Sequence, residues 1–412
     1  MFISNIQIKN FKTFKDEKID LNDFNVLIGA CASGKTNFVE ILEFLKDVSV
    51  NFHNAIKRHD GIYLKNFNLL DENDESHLKV TFEKDNSDYS VELNGSIGLE
   101  NQITISVDSL DYEIYFKFAQ NGCEVINEHV ALNCKILKED QSFENIIHIN
   151  NDSGKVKARF DHDLEFLKIT DIIPNNICDI VANNFKKENI PIINSPLSSI
   201  PINWGGVFNN ISSYDFDSKF LKNLNVIEDE VSLTKYGANL PIVLNSILNN
   251  DEERERFILF LNQFLPYVKD VNVEKILDEE KIFMILEKYN DVKIPAPFIS
   301  DGTSTIIALI IATYFQENRI IVIEEPERHI HPTLISKLIL MFKSVSNKQV
   351  IITTHNSEVL KHVNLDDILF ISRNNKGFSD IYNLSENDSL KPFIEELGID
   401  YVFVNDYLGL EL

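Results

Sequence analysis

No apolar run in this chain approaches the roughly 18 residues that a membrane-spanning helix requires, which argues for a soluble protein and against a membrane partner. Cysteine is scarce. Cys31, Cys123, Cys134 and Cys178 have neither C-x-x-C spacing nor neighbouring His pairs, so neither a zinc site nor a disulfide framework is indicated, and reduced, ordinary thiols are expected. Positive charge is in deficit: 39 Lys and Arg against 64 Asp and Glu leave a net charge of −25. That balance disfavours a broad nucleic-acid-coating surface, because binding phosphates draws on clustered cations. The nearest thing to a local patch, Lys57-Arg58-His59, is short enough to be a solvated face. The N-terminus, Met1-Phe-Ile-Ser-Asn-Ile-Gln-Ile8, alternates like a strand and lacks the basic start of a signal peptide, so a cytoplasmic location is the expectation. Internal repeats and long low-complexity tracts are absent too. The 412 residues suffice for two lobes or for one domain with an insertion.

Against this background one stretch stands out, Gly29-Ala30-Cys31-Ala32-Ser33-Gly34-Lys35-Thr36-Asn37. It matches G-x-x-x-x-G-K-[ST], a pattern that counts only between a strand and a helix. Phe24, Val26, Leu27 and Ile28 supply the strand, and Phe38, Ile41, Leu42 and Leu45 recur at helical spacing up to about Val50. Such a turn aims successive backbone N–H groups and a helix N-terminus at one point, which suits the triphosphate of ATP. Lys35 is placed to reach the β and γ phosphates, and the Thr36 hydroxyl to ligate Mg2+. Cys31 and Ala32 stand where such loops often carry Asn and Gly; Ala32 costs about 1 kcal/mol if its position requires positive φ.

Before the loop, Ile6 and Ile8 alternate with Gln7 and Lys9, and Asn10-Phe-Lys-Thr-Phe14 turns the chain toward Ile19 and Leu21. Beyond the loop's helix, alternation returns at residues 77–82, 89–93, 103–107 and 112–116, an antiparallel meander. From about 120 to 290 the pattern is mixed. Asn-rich stretches near 147–152 and 208–212 look like loops, and residues 160–166 suit a short helix. Helical spacing marks residues 240–248 and 254–264, with strands following at about 271–276 and 281–287 and a loop at 293–297.

The last third carries the rest of the chemistry. Ser300-Asp301-Gly302-Thr303 opens an apolar helix, and residues 319–323 form a buried strand ending in Glu324 and Glu325. A helix from Thr333 to about Val345 leads to a second buried strand, 349–354, ending at His355. Strands and helices alternating at this length imply a parallel sheet with its active edge at the strand C-termini. Glu324 is the candidate Mg2+ ligand, and Glu325 the base that orients the attacking water. His355 is placed to sense the γ-phosphate, although a lone strand-end His is more often structural.

The loop, Ser300 to Thr303, Ile320 to Glu325, the extension Glu325-Pro-Glu-x-x-Ile-His-Pro332 and Thr354-His355 together resemble the ABC-type ATPase head of the RecF, SMC, Rad50 and OLD-like group, and more closely the stand-alone AAA family ATPases of prokaryotes. Ile6-x-Ile-x-Asn-Phe-Lys12 and Lys235-Tyr-Gly-Ala-Asn-Leu-Pro241 share the resemblance. The fold it implies is α/β, a P-loop NTPase of the ABC head type with an antiparallel β subdomain and a mixed helical insertion, divided as 1–116, 117–290 and 291–412. It also implies that Ser300 to Thr303 is a signature motif acting in trans, capping the γ-phosphate held by a second copy, so that ATP closes a homodimer. Ser304 and Thr305 differ from the basic residue often found there. No long heptad segment exists, which excludes a coiled-coil arm. Only about 57 residues follow His355, too few for the Toprim nuclease of OLD-like proteins, so a nuclease or toxin effector is expected on a separate chain. Two functions remain: an ATP-hydrolysing switch acting on DNA or an effector, and a regulatory module that holds ATP with negligible hydrolysis. Phosphotransfer to a small molecule is weaker, since it leaves the signature helix and His355 without a task.

Overall fold

The computed structural model describes residues 1–59, 61, 75–85, 89–93, 102–119, 122–222, 232–275, 281–289, 292–386 and 391–405. Its contacts divide the chain into two interleaved units. One comprises Met1–Asn22, Ala32–Ile211 and Ile371–Tyr382; the other comprises Asp23–Cys31, Ser212–Phe370 and Asn383–Leu412.

In chain order the first strands are β1 (Phe2–Phe11), β2 (Phe14–Asp20), β3 (Phe24–Ile28), β4 (Ser76–Glu83), β5 (Ser90–Leu93), β6 (Ile103–Ala119), β7 (Gly122–Lys138), β8 (Gln141–Asp152) and β9 (Lys155–Phe160). All but β3 build the antiparallel sheet of the first unit, ordered β2-β1-β4-β6-β7-β8-β9 with β5 on β6. The sequence suggests two strands at 103–107 and 112–116, but β6 is a single strand of 17 residues. Its buried positions run Ile103, Ile105, Val107 and then Leu110, Tyr112, Ile114, Phe116, odd numbers followed by even. A bulge where the register shifts between Val107 and Ser109 inserts one residue and resets the phase. The boundary drawn at 116 therefore falls inside β6, and residues 122–160 of the expected mixed insertion are three more strands.

The Asn-rich 147–152 stretch is not a loop. It lies in β8, where Ile147 and Ile149 point inward and Asn151 is buried with its carbonyl oxygen accepting the Gly154 N–H. Nor do residues 160–166 form a helix: β9 ends at Phe160, and Leu164 pairs with Leu167 in an isolated bridge. Near 208–212 a 3-10 turn, Gly205–Asn210, runs into a strand. The helix Lys35–Val50 lays Phe38, Ile41, Leu42, Phe44, Leu45 and Val48 into the first unit's core. Phe44 anchors it, 5.4 Å from the Phe11 ring and 5.8 Å from Phe116.

The remaining strands are β10 (Ile211–Tyr214), β11 (Val268–Lys275), β12 (Lys281–Glu287), β13 (Lys293–Pro295), β14 (Ile320–Glu324), β15 (Gln349–Thr354), β16 (Ile368–Arg373) and β17 (Ser379–Asn383). The second sheet runs β10-β14-β15-β3-β16-β17, with β14, β15, β3 and β16 parallel. Its central strands are buried end to end, as parallel strands covered on both faces must be. The helix Asp301–Tyr314 is buried from Thr303 to Thr313, consistent with an apolar surface all round. The helices Leu240–Leu248 and Asp251–Phe264 form as their spacing predicts. Lys293–Pro295 joins the small sheet β11-β12-β13, because its backbone pairs with Met284 to Leu286 where a loop was expected. Ile276, the expected end of β11, lies outside the described residues.

Candidate nucleotide site

Parallel pairing fixes the active edge. Glu324 stands beside Thr353 across β14 and β15, and Thr354 beside Ile28 across β15 and β3. The acidic pair, the His355 turn and the start of the Gly29 loop therefore leave the sheet together, at the C-terminal edge where open α/β sheets bind ligands.

The loop has the backbone a phosphate cradle needs. Ala32 sits at φ 62, the left-handed region that costs a Cβ-bearing residue about 1 kcal/mol. Gly34, at φ 122, caps the helix Lys35–Val50, and a Cβ there would lie 2.4 Å from Ser379 Oγ. Ser33 is buried, and its hydroxyl has no hydrogen-bond partner among the described residues. A buried polar group is ordinarily satisfied, so this orphan in an anion-shaped turn fits a bound phosphate. Thr36 and Glu324 supply hydroxyl and carboxylate oxygens, the hard donors that Mg2+ prefers. Among the described residues no three His, Cys, Asp or Glu gather as a metal cluster.

Glu325 is held on both sides. Its backbone adopts φ 45, and its N–H donates to Thr353 O at 2.9 Å. One carboxylate oxygen lies 2.7 Å from His355 Nδ1, and the other accepts from Arg328 at 3.1 Å. Arg328 is anchored in turn by Asp215 at 3.0 Å. Burial pushes the Glu325 pKa up, but the Arg328 and His355 contacts outweigh it and the net shift is downward. Glu327 behaves in the opposite way: buried, with one oxygen accepting from the Thr354 hydroxyl and the other unpartnered, it is pushed up by burial. Glu325, Glu327, Arg328 and His355 line an open cleft of about 440 Å³.

The Ser300 hydroxyl caps its helix, accepting the Thr303 N–H at 3.2 Å, and Tyr267 OH lies 3.0 Å from the Thr303 hydroxyl. Asp301 pairs with Lys222, whose hydrogen bond lowers the acid's pKa. Gly302 lies so close to the Arg328-His329 turn that a Cβ would meet the His329 carbonyl at 2.5 Å. Ser304 and Thr305 are buried, so the places suggested for a basic residue face the interior. Within Lys57-Arg58-His59, Arg58 and His59 both engage Asp47. All four cysteines are free, and Cys31 alone is exposed. Among the described residues, no helix is long and apolar enough to cross a membrane.

Sequence reasoning missed Glu327, Arg328, Asp215, Thr13 and Ser379. Glu327 had a signal as the third acid of Glu324-Glu325-Pro-Glu327, and Thr13 belongs to a segment taken only as a turn. Asp215 and Ser379 stand in no motif.

The strand-loop-helix cradle at the carboxyl edge of a parallel sheet, with its acids at the end of β14, one strand beyond the β15 that pairs with β3, makes this a P-loop ATPase, α/β with an antiparallel subdomain. Residues 1–360 match the AAA ATPase domain family, and the chain belongs to it. It is similar to the ATP/GTP phosphatase of Helicobacter pylori, 24% identical over 274 residues that cover 60% of this chain and 71% of the relative. Endonuclease GajA of Bacillus cereus is 21% identical over 407 residues, 94% of this chain but only 61% of GajA. The DNA replication and repair protein RecF of Bacillus cytotoxicus is 36% identical over 98 residues, 23% of either chain. Among solved structures, the SMC head bound to the C-winged helix domain of ScpA aligns with a TM-score of 0.49 at 12% identity, covering 94% of this chain and 99% of that one. The chain is thus a member of the AAA ATPase domain family with similarity to RecF and GajA.

Proposed function

We propose that this protein hydrolyses ATP to ADP and phosphate and uses the cycle as a dimerisation switch. The observation that carries the reading is Glu325, a carboxylate held ionised at the end of β14 and hydrogen-bonded to His355. Gly29 to Asn37 hold the triphosphate, with Lys35 neutralising it and the loop N–H groups donating to it. Thr36 and Glu324 would hold Mg2+, which would supply positive charge against the phosphates. Glu325 orients the attacking water and accepts its proton, and His355, hydrogen-bonded to Glu325, senses the γ-phosphate. Ser300 to Thr303 of a second copy close the site, because a capped helix tip with a Ser hydroxyl and a Gly N–H is a second anion site.

The cycle then acts on DNA or on a separate nuclease or toxin, in genome maintenance or antiphage defence. The name of RecF, a DNA replication and repair protein, supports genome maintenance, that of the endonuclease GajA supports a nuclease effector, and the net charge of −25 favours the effector over broad DNA coating. Phosphate release by the purified protein, with and without duplex DNA, tests the reading together with the ATP-dependent oligomeric state. Hydrolysis absent in every condition would leave the second reading, an ATP-holding scaffold or sensor. One feature favours that alternative: in a single protomer both Glu325 oxygens are already engaged.

A further inference from the structure

The Ser33-Gly34 peptide is held from behind by three side chains that the nucleotide chemistry itself does not call for, all within the first unit. Asn37 Nδ2 donates to Thr13 Oγ1 at 2.9 Å, the Thr13 and Ser379 hydroxyls lie 2.8 Å apart, and Ser379 Oγ hydrogen-bonds the Ser33 carbonyl. The Ser379 N–H also donates to Thr13 O at 2.8 Å, and Ser379 is fully buried. Thr13 and Ser379 are 366 residues apart in sequence, so no local turn explains their meeting.

Counting donors fixes the direction of this chain of contacts. Each hydroxyl has one proton, and a carbonyl can only accept. The Ser379 proton therefore goes to Ser33 O, the Thr13 proton to Ser379, and an Asn37 amide proton to Thr13. Every hydroxyl donates once and accepts once, and the series ends on a peptide oxygen.

A trans peptide is planar, so its C=O and the following N–H point in opposite directions. Fixing the Ser33 oxygen toward Ser379 turns the Gly34 N–H the other way. Gly34, with no room for a Cβ on the Ser379 side, lets that side chain come up directly behind the loop. Released, the same peptide could turn over and present an acceptor where an anion needs a donor.

We propose that Thr13 and Ser379 are positioning residues for nucleotide binding: a hydroxyl relay that sets the Ser33-Gly34 peptide so that its N–H faces the phosphates. The proposal rests on the loop being the triphosphate site. The relay presets a donor that serves substrate and transition state alike, so its loss raises KM more than it lowers kcat.

The test is equilibrium binding of Mg-ATP to the full-length protein, with steady-state hydrolysis alongside, for Ser379→Ala, Thr13→Val, Thr13→Ser and Lys35→Ala. Ser379→Ala and Thr13→Val are expected to weaken binding about tenfold, which corresponds to about 1.4 kcal/mol. Where turnover is measurable, KM rises by a similar factor and kcat stays within about twofold. Thr13→Ser, which keeps the hydroxyl, restores the affinity lost in Thr13→Val. Wild-type affinity in Ser379→Ala and Thr13→Val overturns the relay, and so does a Thr13→Ser variant as weak as Thr13→Val. Lys35→Ala separates the two levels. If it loses ATP while the relay variants keep it, only the relay fails; if it too binds normally, the loop is not the nucleotide site. Should Ser379→Ala not fold, the Thr13 pair still decides, at a half-buried turn.

Discussion

Glu128 on β7 is fully buried, and replacing it with Gln makes the sharpest test of how the first unit is held together. Its carboxyl accepts from Tyr112 OH at 2.9 Å and from the Ile192 N–H at 2.6 Å. The next residues continue the support: Asn194 donates to Val48 O at 2.8 Å and Ser49 O at 3.1 Å, at the C-terminal end of the helix that begins at Lys35. Burial raises the Glu128 pKa from 4.5 to about 7, despite the backbone and Tyr112 hydrogen bonds that pull it down. Folded protein thus keeps a proton that the unfolded chain has lost, so stability falls as pH rises from 4.5 to about 7 and stays low above it. At about 1.36 kcal/mol per pKa unit the full effect is about 3 kcal/mol, most of it between pH 5 and pH 8. Glu128→Gln keeps the shape and removes the ionisation. Its stability relative to wild type should therefore rise by about 2–3 kcal/mol from pH 5 to pH 8. Urea unfolding followed by tryptophan fluorescence reads the right unit, because the single tryptophan, Trp204, is buried with its ring 6.1 Å from Tyr112. Glu17, also raised to about 7 by burial, titrates in both proteins and cancels in the difference. A gap between variant and wild type that does not change with pH would refute the reasoning.

Glu325→Gln removes the proton acceptor, so phosphate release should fall about 10²–10⁴-fold while Mg-ATP binding and an ATP-dependent dimer persist; unchanged turnover would take Glu325 out of the catalytic role. Arg328→Gln deletes one of the contacts that oppose burial at Glu325, so the carboxyl pKa rises. Since the base works ionised, the acid limb of the kcat/KM profile should move to higher pH, and a limb that stays in place would show that Arg328 does not tune this group. Gly302→Ala forces a Cβ to 2.5 Å from the His329 carbonyl, an overpacking expected to cost about 1–3 kcal/mol and to lower the melting temperature by several degrees. A melting temperature equal to wild type would mean that the turn yields freely.

The second sheet was legible because buried parallel strands announce themselves as apolar runs, and because the loop, the acidic pair and His355 each terminate one. The first sheet was half hidden. The bulge after Val107 breaks the alternation that marks a strand, so one long strand looked like two. Glu128 is an acidic residue at an inward position, satisfied by partners that arrive from elsewhere, and no local pattern announces such pairing. The same limit applies to the site. Lys35, Glu325 and Ser300 lie in motifs, whereas Asp215 and Ser379 meet their partners Arg328 and Ser33 across 113 and 346 residues of chain.

The helix that begins at Asp301 is walled in from Thr303 to Thr313, eleven consecutive residues, leaving only its two ends partly exposed. An element so enclosed has almost no freedom to vary, since each substitution along its shaft would disturb packing on every side. Descendants of this chain that came to prefer a different mate would have to encode the preference in the ground surrounding the post, because the post itself offers nothing to rewrite.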